Sequence, residues 1–343
     1  MTDVGKLTMD ALRRQLKSGE TDRCYLFYGK ERYLLEHYSR ELRKAVLGEE
    51  DDPFNLRRLE GKGLELQALS DAVDAYPAFA ERALVEVRDY DILQLPDAEV
   101  KRLTDLLREL PEYCCLLFVY DTLEFKADRL KSKKWEGLRS CASLVEFPLQ
   151  GQNELARWVQ RHFQSRGKEI SSEDAAYLVF LCGSEMDSLT NEIGKLAVYA
   201  AGKTVTRSEI DAVTVPAVEA QTFKLTDALS ARNYDRAAEL MFKLFQLNTE
   251  PIAINAMIGS QLRKLHAALL VKQSGGNAGT LAELLGCSDY AAGQYFRICS
   301  SFREPWYLRM IRLSAETDWR MKSTSTEPED LLRSLFVAMA AEA

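Results

Sequence analysis

The chain has 343 residues, 46% of them hydrophobic, and a formal net charge of −7. That length holds two or three domains of about 100–200 residues, and the apolar share is enough to bury their cores. The acidic balance argues against a stand-alone DNA binder, whose affinity rests on Lys and Arg neutralising phosphates. No run reaches the ~18 apolar residues of a membrane-spanning helix. The first twenty residues lack an apolar signal core and read as an amphipathic helix, so the expected compartment is the cytoplasm. The seven cysteines, Cys24, Cys114, Cys115, Cys141, Cys182, Cys287 and Cys299, form no CxxC pair and are expected as buried thiols. His37, His162 and His266 are far apart, and no zinc-type cluster is expected.

Residues 1–148 alternate strands with helices. Residues 24–28 (CYLFY) form a short apolar run that stops at Gly29. After it, Leu34, Leu35, Tyr38, Leu42, Ala45 and Val46 recur at helical spacing. A strand over 54–59, a helix around 65–75 and a strand over 83–87 (ALVEV) follow. A helix over 100–110 leads to residues 114–120 (CCLLFVY), an unbroken apolar run of strand length. A last strand over 144–147 stops at Pro148. This order predicts an α/β domain with a parallel sheet between helices, CCLLFVY being a central strand buried on both faces. From 149 onward only helices are expected. Ser171–Asp174 and Thr206–Glu209 read as N-terminal capping patterns, the second a capping box. Pro216 marks a boundary. Beyond it, Ala237, Leu240, Met241 and Leu244 share one face, as do Ile254, Ile258, Leu262, Leu265 and Leu269. Residues 274–279 read as a flexible connector, and helices are expected over 281–285, 290–300, 306–322 and 331–341.

A parallel α/β domain invites a search for a phosphate-binding loop after its first strand. That loop needs GxxxxGK[ST], whose glycines let backbone N–H groups wrap the phosphates. Here the position reads Tyr28-Gly29-Lys30-Glu31-Arg32-Tyr33. Glu31 puts a carboxylate where an anion would sit and is expected to face the helix dipole. Asp89, Asp91 and Asp121 at strand ends are expected as loop caps rather than metal ligands. No nucleophile elbow, carboxylate pair or Cys/His dyad is evident, so no intrinsic catalysis is expected.

Three other features stand out. Tyr76, Pro77, Ala78 and Phe79 put aromatic groups in a helix-to-strand connection, where polar turn residues are usual. Phe79 either packs back on its domain or is an exposed anchor for a partner. Lys126, Arg129, Lys131, Lys133 and Lys134 are either a basic face or a solvated loop. Residues 281–297 resemble a helix-turn-helix, but the would-be recognition helix carries few groups suited to base edges.

The pieces together resemble the delta subunit of bacterial DNA polymerase III, a clamp-loader component of the AAA+-like class. The resemblance runs along the whole chain. It is carried by residues 25–31 with Tyr33-Leu34, by 79–87, by 191–196 with Tyr199, and by 223–228. Leu284-Leu285-Gly286, and Glu316 with Asp318 and Lys322, complete it. It implies an AAA+-like clamp-binding domain without a P-loop (1–148), a small helical lid (149–215) and a helical collar for oligomerisation (216–343). It also implies no cofactor. The expected partners are the sliding clamp (beta subunit), ATP-binding gamma/tau subunits, delta-prime and, indirectly, primed DNA. The chain would be a non-catalytic part of a nucleotidyltransferase holoenzyme, holding the clamp and favouring its open form. The family's clamp contact uses two neighbouring hydrophobic residues, matched here by Ala78-Phe79. Ala78 is a departure, to which Tyr76 is expected to add, with Pro77 shaping the tip. In the collar, Trp306, Tyr307, Arg309 and Arg312 are either a stacking and phosphate-touching patch or an amphipathic helix with a basic face. The competing readings are a helix-turn-helix regulator and an inactive AAA+-like scaffold with another partner.

Overall fold

The computed structural model describes residues 6–48, 52–246 and 250–341. The chain divides into two compact units, Met1–Leu149 and Gln150–Ala343. Among the described residues, no helix is long and apolar enough to cross a membrane. Four of the seven free cysteines, Cys24, Cys114, Cys115 and Cys299, are buried; the other three are half-buried.

The first unit is built on five parallel strands in the order β2-β3-β4-β1-β5. They are β1 (Cys24–Gly29), β2 (Leu56–Glu60), β3 (Ala83–Arg88), β4 (Cys114–Val119) and β5 (Ser143–Phe147). Every residue of β4 is buried, as its unbroken apolar run requires of a central strand covered on both faces. The sheet is accompanied by helices α1 (Met9–Ser18), α2 (Arg32–Leu47), α3 (Leu66–Asp74), α4 (Asp97–Arg108) and α5 (Glu136–Cys141). Strand residues alternate between faces. Leu26, Val85, Val87, Leu116 and Phe118 share a core with Leu69 of α3, Leu103 of α4 and Leu138 of α5. On the opposite face, Phe27 meets Phe147 edge-on at 5.2 Å, and Phe147 stacks on Tyr38 of α2. The expected strand 54–59 begins two residues late, because Phe54 and Asn55 belong to the turn before β2.

Glu86 is a fully buried carboxylate inside β3. Arg43 of α2 grips it with two hydrogen bonds of 2.8 and 2.9 Å, and Arg88 adds a third at 2.8 Å. Arg88 also bonds both carboxylate oxygens of Glu36 on α2. The Arg88 hydrogen bond holds the Glu36 carboxyl below the usual carboxylate range. These groups tie α2 to β3 across the sheet face.

The second unit is helical, apart from a two-stranded parallel pair, β6 (Glu169–Ile170) and β7 (Thr204–Val205). Its first helices are α6 (Gln152–Gln164), α7 (Ser172–Cys182), α8 (Met186–Tyr199) and α9 (Arg207–Val213). Ser171 caps α7 and a reciprocal Thr206–Glu209 capping box opens α9, as their sequences predict. Then come α10 (Val218–Ser230), α11 (Tyr234–Gln246), α12 (Pro251–Gln273), α13 (Ala278–Leu285), α14 (Asp289–Ile298), α15 (Glu304–Ser323) and α16 (Pro328–Ala341). The predicted α12 face, Ile254 to Leu269, is buried at the centre of this core. Asn255 fixes α15 beside it, donating to the Ser314 carbonyl at 2.9 Å. The expected connector is shorter than 274–279, because Asn277 accepts from the Thr280 amide and starts α13 at Ala278.

Contacts cross Pro216 within this unit. Arg207 lies over the Tyr177 ring at 3.8 Å, bonds Asp174 at 2.6 Å and donates to the Tyr290 hydroxyl of α14 at 3.1 Å.

Removing one partner of a buried ion pair leaves the other charge uncompensated, which costs about 3–5 kcal/mol. Glu86→Ala is therefore expected to lower the unfolding free energy of the first unit by about that amount in urea titration. A loss under about 1 kcal/mol would show that Arg43 and Arg88 find other partners or water.

Candidate functional site

In open α/β sheets, ligands usually sit beyond the carboxyl ends of the strands. Here that end, by β1, β4 and β5, holds a depression of about 490 Å³ whose lining includes Gly29, Lys30, Arg32, Asp121 and Glu146. The connection from β1 to α2 is only Lys30 and Glu31. Gly29 adopts φ 142°, and a Cβ there would collide with the Phe147 carbonyl oxygen. The backbone therefore runs close against β5 and leaves no wide phosphate cradle. Glu31 is buried at the N-cap position and makes no side-chain capping hydrogen bond. Arg32 pairs with Asp121: its Nη2 donates to Oδ2 at 2.9 Å, and its Nε lies 2.8 Å from Oδ1. A carboxylate of the same domain thus already pairs with this exposed guanidinium.

Asp89 is a loop cap, as expected. It has φ 54° and accepts hydrogen bonds from the amides of Asp121, Thr122 and Leu123 at 2.9–3.2 Å. Burial pushes its carboxyl up, but bonds from Thr122 and these amides outweigh that and hold it below the ordinary carboxylate range.

The aromatic loop lies at the other end of the sheet, where α3 returns to the start of β3. Phe79 is fully exposed, at 104% of its reference area, and has φ 57°. An aromatic residue in the left-handed region is strained by about 1–2 kcal/mol relative to the right-handed one. Tyr76 is 79% exposed and stacks on Tyr113 at 4.9 Å. Desolvation raises the Tyr113 phenol, with Tyr76 and Asp74 adding to it. Pro77 and Ala78 are half-buried.

A hydrogen-bonded frame holds this loop. Asn55, 2% exposed, accepts from the Ala78 amide at 2.7 Å and donates to the Ala78 carbonyl at 3.0 Å. Its amide also donates to Asp52 at 2.7 Å. Arg57 of β2 donates to the Ala72 and Tyr76 carbonyls, each at 3.0 Å. Asn55, Arg57 and Asp52 are not marked as site residues by any sequence motif. The one local sign is a polar Asn55 inside the run expected as a strand.

The C-terminal patch does not form as an aromatic and basic surface. Trp306 is 8% exposed and Tyr307 fully buried. Trp306 stacks on Phe302 at 3.8 Å, and the Tyr307 hydroxyl donates to the Cys299 carbonyl at 3.0 Å. Of the four, only Arg309 and Arg312 reach the surface. The burial of both aromatic rings beside two exposed arginines fits an amphipathic helix with a basic face. The would-be recognition helix, α14, offers few exposed groups to base edges. In α14, Ala291, Ala292, Tyr295 and Ile298 are buried, and only Asp289 and Arg297 are exposed. In the basic stretch, Lys131 pairs with Asp128 and Lys134 with Asp97, each at 2.7 Å.

The family model for the delta subunit of DNA polymerase III matches residues 25–146, and the model for that family's C-terminal domain matches residues 219–339. The chain belongs to the DNA polymerase III delta family. The first match spans the aromatic loop and its frame; the second spans Trp306 to Arg312. DNA polymerase III subunit delta of Bacillus subtilis (strain 168) is 26% identical over 335 residues, 94% of each chain. A probable delta subunit of Aquifex aeolicus (strain VF5) is 23% identical, covering 78% of this chain and 77% of its own. The solved DNA clamp loader delta protein of Bacillus subtilis superposes with a TM-score of 0.58 at 22% identity. That structure covers 96% of this chain and 98% of its own. The delta-family fold is therefore the α/β plus all-α, AAA+-like architecture expected from the sequence.

Because Phe79 is fully exposed and in the left-handed region, Phe79→Gly should leave the fold intact and raise its stability by up to about 1 kcal/mol. Thermal unfolding measures this, and a drop in Tm would show that the ring packs on its own domain.

Proposed function

We propose that this delta-family protein works in a clamp loader by holding a ring-shaped sliding clamp through the Tyr76–Phe79 loop and favouring the ring's open form. The single observation that carries this reading is Phe79, a fully exposed aromatic in a strained conformation on a hydrogen-bonded frame. Such a group contributes little to its own fold and is suited to an apolar pocket on a partner. Family membership supplies the setting, and the similar Bacillus subtilis structure is that of a clamp loader delta protein.

The grip acts by differential affinity. A protein that bound open and closed rings equally would shift nothing, however tight the complex. A hundredfold preference for the open ring corresponds to about 2.7 kcal/mol of bias toward opening. Residues 1–148 are the clamp-binding domain in this reading, 149–215 a lid, and 216–343 the collar that meets the ATP-binding gamma/tau subunits and delta-prime. ATP use belongs to those neighbours, because the two-residue β1–α2 connection and the Arg32–Asp121 pair give a nucleotide little to bind. Loading onto primed DNA is then an act of the whole assembly.

Phe79→Ala is expected to weaken binding to the same organism's sliding clamp by about 30- to 1,000-fold, or about 2–4 kcal/mol. Calorimetry or surface plasmon resonance on the purified pair measures it. An unchanged Kd would remove Phe79 from the interface.

A further inference from the structure

Phe79 by itself is too small to make a stable contact. A buried aromatic side chain brings about 150–250 Å², whereas one face of an ordinary specific interface covers about 800 Å². Ala78 adds only a methyl group and is half-buried. Further apolar surface must lie close by.

The topology places it. In a parallel sheet, the segments entering the strands all lie at the same end. Phe54 enters β2, Tyr76 and Phe79 enter β3, and Tyr113 enters β4, and these three strands are adjacent. Phe54 is 67% exposed. Its amide donates to Asp52 at 2.8 Å, and Asp52 also accepts from the Asn55 side chain. Asn55, the next residue, holds both peptide groups of Ala78, the neighbour of Phe79. Chain dimensions then limit the Cα separation of Phe54 and Phe79 to about 15 Å. An 800 Å² face is about 30 Å across, so one partner surface spans both rings.

We infer that Phe54 is a second anchor on the same partner as Phe79, supplying from the entry to β2 the apolar contact that Ala78 does not. This rests on the clamp-holding reading above. Phe54, Tyr76 and Phe79 together offer about 500 Å² of aromatic surface, most of one standard face. Asp52 and Asn55 fix the two loops as one body, so both rings meet the partner in one geometry and little ordering entropy is lost on binding.

The test uses the full chain and the sliding clamp of the same organism, with Phe54→Ala, Phe54→Leu and Phe79→Ala compared by Kd. Thermal unfolding of each variant checks its fold. Phe54→Ala is expected to weaken binding at least about fivefold. Phe54→Leu, which keeps most of the apolar area, should recover most of that loss. If Phe79→Ala weakens binding while Phe54→Ala does not, the second anchor is wrong and the clamp-holding reading stands. If neither variant changes the Kd, the clamp-holding reading fails and takes this inference with it. If Phe54→Ala instead abolishes self-association of the free chain at an unchanged clamp Kd, the patch serves a second copy and the inference is overturned.

Discussion

The grip of Asn55 on Ala78 is the contact on which the candidate site depends. One buried side-chain amide satisfies both backbone hydrogen-bonding groups of a residue in the neighbouring loop. A buried polar group that finds its partners fixes geometry, because any other arrangement leaves them unpaired. The backbone carbonyl of Asn55 in turn accepts from the Leu84 amide at 2.9 Å, so the grip is continuous with the β2–β3 pairing. The aromatic loop is thereby an extension of the sheet. A freely moving loop carrying Phe79 would lose its conformational entropy at the moment of contact; this one is already held at Ala78, next to the ring.

On the clamp-holding reading, the two ends of the sheet exchange their usual importance. At the carboxyl end, Arg32 pairs with Asp121, and Glu31 puts a buried carboxylate at the start of α2 where a phosphate would otherwise sit. At the amino end, where loops normally close a sheet without display, aromatic rings stand in solvent. The buried Glu86–Arg43 pair lies between, fastening α2 to β3. Such pairs rarely add net stability over apolar packing, since desolvation offsets most of the attraction. Their effect is on geometry: α2 can sit on β3 in only one register while both charges remain satisfied.

Much of this was legible in the sequence, and the exceptions share a cause. The run CCLLFVY marked a central strand because burial on both faces leaves no place for a polar residue. The spacing of Ile254, Ile258, Leu262, Leu265 and Leu269 marked the buried face of α12, and Thr206 with Glu209 marked the start of α9, because those signals are local. Trp306 and Tyr307 were ambiguous. An aromatic pair beside Arg309 and Arg312 has the same composition whether it faces solvent or core, and the deciding neighbour, Phe302, offers no periodic signal. Arg43 and Glu86 are far apart in the chain, and so are Asn55 and Ala78. The residue Glu86 inside ALVEV was itself a clue, since a carboxylate in a buried strand needs a cation from elsewhere. Phe79 could be read only as anchor or core residue, because its exposure depends on a φ angle that no residue pattern specifies.

On the clamp-holding reading, that φ angle bears on how a grip can open a ring. Holding Phe79 in the left-handed region costs about 1–2 kcal/mol, a noticeable share of a total stability of about 5–15 kcal/mol. A glycine at the same place would relieve the strain and remove the ring. The strain is tolerable only because the frame around Ala78 is strong enough to impose it. The same stiffness matters for function. A compliant loop adjusts to either form of a partner and binds both with similar affinity, which biases nothing. A loop that cannot follow the partner's change of shape binds one form better than the other, and that difference is the only quantity able to shift the partner's equilibrium.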